Sequence, residues 1–152
     1  MERAISHYFH EVKKGREKLP LFEALQKEDE RCAAEWQKMV DDISYTSKEH
    51  QSFSYKQRGV YIEQLRRYWK FFPEQQILIL ESSKLFTDPH AVLRQVFQFL
   101  GINQGFTVKD VTVQNANPKK KAVAPEVYAY LNEFFSPHNA LLTDALGRNF
   151  GW

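Results

Sequence analysis

One short apolar segment constrains the fold of this chain more than any other feature. Residues 76–81, Gln-Ile-Leu-Ile-Leu-Glu, form a brief, continuously apolar run. Such a run is typical of a strand that is buried on both faces of a parallel sheet. A buried strand needs neighbours for its backbone N–H and C=O groups. The sequence therefore predicts that its partner strands lie upstream of Met1 or come from a second copy of the chain.

Helical spacing and local start and stop signals account for most of the remaining chain. Asp88 followed by Pro89 is typical of a helix N-cap with proline in the first turn. The first predicted helix stops near Gly15, and Gly101 and Gly147 lie where C-terminal cap glycines belong. Residues 41–53 are polar and predict a loop. The predicted helices are 2–14, 20–40, 54–72, 89–100, 125–135 and 137–146.

Two of these predicted boundaries depend on capping patterns. Ser54 and Gln57 match a capping box, which predicts that a helix begins there. Ser136 followed by Pro137 repeats the pattern of a cap residue and a first-turn proline, so the sequence predicts a new helix at that point. The second predicted helix, which begins at Pro20, has a polar gap in its apolar stripe over residues 26–31.

Composition bounds the class of protein. The chain has 152 residues, 43% of them apolar and 26% charged, which predicts one folded domain. The net charge of only +2 argues against a protein that coats nucleic acid. Cys32 is the only cysteine, so an intrachain disulfide is excluded. No apolar run is long enough to span a bilayer and no secretory signal occurs, which predicts a cytoplasmic location and no membrane partner.

The first residues have the character of a helix interior. Residues 1–8 carry no cap or targeting pattern, whereas most domains begin with frayed polar residues. The sequence therefore predicts a truncated chain, an internal start codon or a dissected domain.

Three segments, taken together and in this order, carry a family resemblance. The first is Arg-Ala-x-Ser-x-Tyr at 3–8. The second begins with Arg-Gly-x-Tyr-x-x-x-Leu-x-x-x-Trp at 58–69 and continues through the 76–81 segment, Leu-x-x-Asp-Pro at 85–89 and Phe-Leu-Gly at 99–101. The third is the closing segment 130–152. In combination they resemble the sulfotransferase superfamily that uses 3′-phosphoadenosine 5′-phosphosulfate (PAPS), particularly its bacterial and heparan-type members.

The resemblance implies a fold and a reaction. The implied fold is α/β and P-loop-like, with residues 1–152 as the mostly helical C-terminal portion of one sulfotransferase domain that includes one buried strand. The implied reaction moves a sulfuryl group from PAPS to a hydroxyl or amine acceptor and leaves 3′-phosphoadenosine 5′-phosphate (PAP). Nothing in the chain matches the family's 5′-phosphosulfate loop, and the family's catalytic base would precede Met1. No catalytic residue is therefore assigned, and activity of this chain alone is in doubt.

The resemblance also implies contacts to the nucleotide. Ser6 resembles the family's 3′-phosphate ligand; the alternative is an exposed helical serine. Lys119, Lys120 and Lys121 lie where a basic stretch covers the nucleotide in the family; the alternative is a solvated loop. Arg58 lies in a region close to the nucleotide and the acceptor; the alternative is a surface cation.

Other interpretations remain at this point. The chain could be a non-catalytic segment that folds by association with a partner or with itself through an exposed strand edge. His7 and His10 are three residues apart on one predicted helix, but no third ligand accompanies them, so no metal site is predicted. Glu81 ends the predicted strand and is a candidate for the ligand crevice. A helical nucleic-acid binder that uses the lysine run is disfavoured by the small net charge.

Overall fold

The described structure is built from α-helices. The computed structural model describes residues 1–112 and 122–151. Over these residues the helices are α1 (Glu2–Lys13), α2 (Leu21–Gln26), α3 (Glu28–Asp41), α4 (Lys48–Phe53), α5 (Tyr61–Trp69), α6 (Ser82–Thr87), α7 (Pro89–Phe99) and α8 (Pro125–Leu146). Two short 3₁₀ turns, Gln57–Gly59 and Glu74–Gln76, precede α5 and the 77–81 segment.

The prediction of an α/β fold with one buried strand is wrong for the described residues, which contain no β-strand. Ile77 and Glu81 do have extended backbone dihedral angles. Leu78 and Leu80 are each 36% exposed, so the segment is not buried on both faces. An extended segment becomes a strand only where another strand accepts its backbone hydrogen bonds, and the described residues supply no sheet. The prediction of a mostly helical chain is confirmed.

The described residues divide into two compact units. The first unit contains Met1–Leu65 and Val123–Phe150, and the second contains the described residues of Arg66–Ala122 with Gly151. The core of the first unit is formed by the buried side chains of Ala4, Ile5, Tyr8, Ala24, Leu25, Cys32, Tyr55, Val60, Ile62, Val127, Leu131, Phe135 and Leu142.

The second unit buries little apolar surface. Of its described apolar side chains, only that of Val92 is buried. Helix α6 packs on α7, and the Asp88 carboxylate accepts a hydrogen bond from the Ala91 N–H, with Pro89 in the first turn. This confirms the predicted start of α7. The large exposed apolar side chains of the unit are Tyr68, Phe71, Phe72, Leu78, Leu80, Leu85, Phe86, Phe99, Leu100, Ile102 and Phe106.

Several helix ends are where the sequence predicts them. Gly15, Gly101 and Gly147 all have positive φ, which glycine adopts without steric cost, and each follows a helix. Helix α1 covers residues 2–13, close to the predicted 2–14.

Two capping predictions are wrong. Ser54 does not begin a helix but ends α4, where its hydroxyl donates to the His50 carbonyl. Helix α4 itself falls inside the predicted loop and is capped by Ser47, whose Oγ accepts from the His50 N–H. Pro137 does not begin a new helix because α8 runs through it for 22 residues.

Helix α8 tolerates its internal proline because its apolar face is well packed. Val127, Leu131, Phe135 and Leu142 are buried along one side of α8. Proline in a helix interior costs about 3 kcal/mol or more through a lost hydrogen bond and a steric clash. Each large buried apolar side chain contributes about 1.5–3 kcal/mol, so burial on both sides of Pro137 outweighs that cost.

Candidate functional site

Helix α1 divides the Arg-Ala-x-Ser-x-Tyr segment between the core and the surface. Ala4 and Tyr8 are buried, and the Tyr8 hydroxyl donates to the Leu19 carbonyl at 2.8 Å. Arg3 and Ser6 are exposed and lie three residues apart, so they share one face of the helix. Ala4 and Tyr8 therefore anchor α1 in the core, whereas Ser6 and Arg3 present a hydroxyl and a guanidinium to solvent.

Arg58 is exposed, but its side chain is held in place. Its Nη2 atom lies 2.7 Å from the Gln51 carbonyl oxygen and 3.4 Å from that of His50, and its Nε donates to Ser54 Oγ at 3.2 Å. The two carbonyls belong to the last turn of α4, whose C=O groups have no partner within the helix. Arg58 satisfies them, and a cation is favoured at this end of the helix dipole.

The contacts of Arg58 with α4 and Ser54 use only its Nε and Nη2 groups. Within the described residues, its Nη1 group makes no hydrogen bond. A guanidinium carries five N–H donors, and an Nη group supplies two of them. An anion that approached Arg58 would therefore find two N–H donors on a side chain that is already ordered.

His7 brings helix α1 and Arg58 into one neighbourhood. Helix α1 packs against both α4 and the 3₁₀ turn Gln57–Gly59. The His7 ring lies edge-on to the Tyr55 ring, with centroids 5.1 Å apart. Burial lowers the pKa of His7, and the positive charge of Arg58 lowers it further. Arg58 therefore lies near His7, which is the neighbour of Ser6 in helix α1.

A buried carboxylate, that of Glu17, holds Tyr55 in place beside His7. Glu17 is 4% exposed and accepts from the Tyr55 hydroxyl at 2.7 Å and from Arg31 Nη1 at 2.6 Å. It also accepts from the backbone N–H groups of Lys18 and Leu19. Burial alone would raise the pKa of Glu17, but these hydrogen bonds hold it below its ordinary value. Glu17 therefore stays ionised and fixes Tyr55, against which His7 packs.

A second buried carboxylate, Glu28, binds the backbone just before Arg58. Its Oε2 accepts from the Lys56 N–H at 2.7 Å and its Oε1 from the Gln57 N–H at 2.9 Å. Its side chain is fully buried, and burial raises the pKa of Glu28 to about 7. The opposing influence of the two N–H donors and the Lys56 charge is smaller.

The Lys56 side chain ties the same turn to α8. It is 1% exposed, and its Nζ donates to Tyr130 Oη at 3.0 Å and pairs with Asp29 at 3.3 Å. The ammonium also lies 4.9 Å from the centroid of the Phe134 ring. Burial would lower the pKa of Lys56, but the Tyr130 hydrogen bond and the Asp29 charge raise it above its ordinary value. Lys56 is therefore a buried structural cation and is not available to a ligand.

Sequence reasoning named some of these residues and missed others. It named Ser6 and Arg58, which the structure brings to neighbouring elements of the first unit. It missed Glu17, Glu28 and Lys56, because a glutamate or lysine in a polar stretch resembles a solvated side chain. The one available signal was the polar interruption at 26–31, where the structure ends α2 and begins α3.

The remaining predicted site residues are less informative. Lys119, Lys120 and Lys121 lie outside the described residues. Glu81 is in the second unit, where it precedes α6 and pairs with Lys84 at 3.6 Å. His7 and His10 each lie 3.8 Å from Glu11. Across residues 1–112 and 122–151, no group of three or more His, Cys, Asp or Glu side chains is arranged to hold a metal ion.

Comparison with known proteins identifies the family. A model of the sulfotransferase domain family matches residues 1–132 of this chain. The chain therefore belongs to the sulfotransferase domain family, as the sequence resemblance indicates.

Individual relatives and one solved structure agree with this assignment. Heparan sulfate glucosamine 3-O-sulfotransferase 3B1 of Mus musculus is 28% identical over 172 aligned residues, 99% of this chain and 40% of that protein. The membrane-associated sulfotransferase kil1 of Dictyostelium discoideum is 30% identical over 115 residues, 74% of this chain and 23% of that protein. The crystal structure of a sulfotransferase from Alicyclobacillus acidocaldarius matches with a TM-score of 0.74 and 28% identity, over 98% of this chain and 51% of that one.

The chain is much shorter than the proteins it matches. It spans 40% of the mouse relative and about half of the solved bacterial chain. None of the described helices is long and apolar enough to cross a membrane.

Proposed function

We propose that this chain provides the 3′-phosphate half of a PAPS-binding site in a sulfotransferase. The full reaction transfers a sulfuryl group to a hydroxyl or amine acceptor. The acceptor oxygen or nitrogen attacks the sulfur, the bond from sulfur to the 5′-phosphate oxygen breaks, PAP leaves, and the acceptor loses a proton. Such transfers depend on in-line positioning and on stabilising charge on the leaving group.

The observation that carries this proposal is the placement of Ser6 and Arg58 on packed, neighbouring elements. The Ser6 hydroxyl can donate to a phosphate oxygen, and Nη1 of Arg58 can donate two further hydrogen bonds. Arg58 is already ordered by α4, so little conformational entropy is lost when an anion binds. A 3′-phosphate carries the charge that a guanidinium recognises.

The chain's place in the whole enzyme is part of the proposal. We propose that residues 1–152 correspond to the C-terminal portion of a single sulfotransferase domain and lack the 5′-phosphosulfate loop. The chain covers only part of each of these relatives, as this proposal requires. Lys119, Lys120 and Lys121 remain proposed contacts to the nucleotide, and a cytoplasmic location remains a prediction.

Isothermal titration calorimetry with PAP tests the Ser6 contact. The wild-type chain, Ser6→Ala and the matched control Ser136→Ala are compared, since Ser136 is an exposed helical serine of the same unit. Loss of a hydrogen bond to a charged group costs about 1.5–3 kcal/mol, so Ser6→Ala should weaken binding by roughly ten-fold or more. Equal affinity of all three proteins would remove Ser6 from the site.

A second function is favoured by the apolar surface of the second unit. Its many exposed aromatic and aliphatic side chains are typical of an association surface. The chain would then be a non-catalytic segment that folds by association with itself or a partner. Self-association through a strand edge is not supported, because the described residues contain no strand. Size-exclusion chromatography with light scattering tests this function: a concentration-independent monomer would argue against self-association.

A further inference from the structure

Glu28, in helix α3, binds the backbone at the start of the distant 3₁₀ turn Gln57–Gly59. The N–H groups of Lys56 and Gln57 stand at the start of the 3₁₀ turn Gln57–Gly59. N–H groups at the start of a helix have no partner within it and are usually satisfied by a nearby side chain. Here the carboxylate comes from α3, 28 residues earlier in the sequence, and each of its oxygens accepts one of the two hydrogen bonds.

The turn is held from its other side by α8. The Lys56 ammonium bonds to Tyr130, and Gly59 lies directly against the Phe135 ring. The backbone over 56–59 is thus fixed between α3 and α8, and Arg58 leaves this segment toward α4 and solvent. The direction in which Arg58 points therefore depends on how firmly its turn is held.

We propose that Glu28 is a positioning residue, which fixes the backbone of Lys56 and Gln57 and so sets where Arg58 presents its guanidinium to a 3′-phosphate. This inference rests on the proposed function. Glu28 is fully buried, so its proposed effect on a ligand is indirect and passes through the turn that carries Arg58.

The chemistry of the contact explains why a carboxylate is used. Two carboxylate oxygens can accept from two neighbouring N–H groups, whereas an amide side chain has one acceptor oxygen. Above about pH 7, where Glu28 is ionised, its charge also strengthens both hydrogen bonds. The charged or titratable groups that face Glu28 are the Lys56 ammonium, the Asp29 carboxylate and the Cys32 thiol.

A double-mutant cycle tests whether Glu28 acts through Arg58. The affinity for PAP is measured by calorimetry for wild type, Glu28→Gln, Arg58→Ala and the double variant Glu28→Gln/Arg58→Ala. Glu30→Gln is the matched control, since Glu30 is an exposed glutamate on the same helix. Glu28→Gln keeps one acceptor and the side-chain volume, so it should fold; circular dichroism and urea unfolding verify this.

The expected result is non-additive. Arg58→Ala should weaken PAP binding by roughly ten-fold or more and Glu28→Gln by roughly three- to ten-fold. The double variant should bind no more weakly than Arg58→Ala, and Glu30→Gln should bind like wild type. Additive losses, or a Glu28→Gln variant with wild-type affinity, would overturn the positioning role. If Arg58→Ala itself has no effect, the phosphate role of Arg58 fails first, and the role of Glu28 fails with it.

A readout that needs no ligand accompanies the cycle. In a ¹⁵N-labelled chain, Glu28→Gln should shift the Lys56 and Gln57 amide resonances and increase their hydrogen exchange, while Glu30→Gln should leave them unchanged. Unchanged amides in Glu28→Gln would show that the carboxylate does not hold the turn, whatever the affinity for PAP.

Discussion

The Phe135 ring occupies the space where a side chain on residue 59 would begin. A Cβ atom on Gly59 would lie 2.7 Å from Cε1 and 2.8 Å from Cζ of Phe135. Non-bonded carbon atoms essentially never approach this closely, so a larger residue at position 59 would force the Phe135 ring or the backbone to move.

Gly59→Ala should therefore destabilise the chain. Overpacking a core by one methyl group costs about 1–3 kcal/mol, because the ring or the backbone must move. Urea unfolding measures the change in free energy. Phe135→Leu provides the control: in that background the ring is gone, and Gly59→Ala should cost much less than it does in the wild type. An equal cost in both backgrounds would show that the Phe135 contact is not the cause.

Replacing the proline inside α8 should stabilise the chain. Pro137 lies within a continuous helix of 22 residues and is exposed. Alanine restores a helical N–H and removes the ring clash, so Pro137→Ala should raise the free energy of unfolding by about 1–3 kcal/mol. The neighbouring exposed residue gives the control Ser136→Ala, expected within about 0.5 kcal/mol of wild type. A less stable Pro137→Ala variant would contradict a continuous helix at this point.

Glu28 should make stability fall as pH rises. The folded chain holds the Glu28 proton up to about pH 7, whereas an unfolded glutamate releases it near the ordinary pKa of 4.5. Between these values the folded state binds more protons, so raising the pH favours unfolding. The free energy of unfolding of the wild type, relative to Glu28→Gln, should fall between about pH 4.5 and pH 7 by on the order of 3 kcal/mol at most.

The comparison with Glu28→Gln isolates this titration from that of His7. Because the pKa of His7 is lowered in the folded state, its effect has the opposite sign and favours the fold as pH rises. Both proteins contain His7, so its effect cancels in the difference. A difference that is constant with pH would show that Glu28 has an ordinary pKa.

Cys32 should react slowly with alkylating reagents in the folded chain. Its side chain is buried, and burial raises the pKa of the thiol to about 11. The thiolate is the reactive form, and near pH 8 its fraction would be about a hundred-fold lower than for a thiol with the ordinary pKa of 9.0. Iodoacetamide labelling followed by mass spectrometry should therefore be slow in buffer and fast in urea. Equally fast labelling in both would contradict the buried position.

The sequence predicts those helix ends that depend on local chemistry. Asp88 with Pro89, Gly15, Gly101 and Gly147 act through hydrogen bonds or dihedral angles within a few residues of themselves, and the structure confirms all of them. The interruption at Pro137 was wrong because core packing on both sides of α8 outweighs a local signal.

Predictions that depend on distant parts of the chain succeed less well. The apolar run at 76–81 has the composition of a strand, but strand formation depends on partners that the described residues do not supply. For the candidate site, Ser6 and Arg58 follow from family resemblance. Glu28 and Lys56 could not be recognised, because their roles depend on contacts to residues 28 and 74 positions away.

Calorimetric titration of the wild-type chain with PAP and, separately, with adenosine 5′-phosphate tests the central claim most directly. The two ligands differ by the 3′-phosphate that Ser6 and Arg58 are proposed to bind. The account predicts saturable binding of PAP and at least ten-fold weaker binding of adenosine 5′-phosphate, with a PAP affinity that falls as salt is added. Equal affinity for the two nucleotides, or no binding of PAP by a folded chain, would contradict a 3′-phosphate site on these residues.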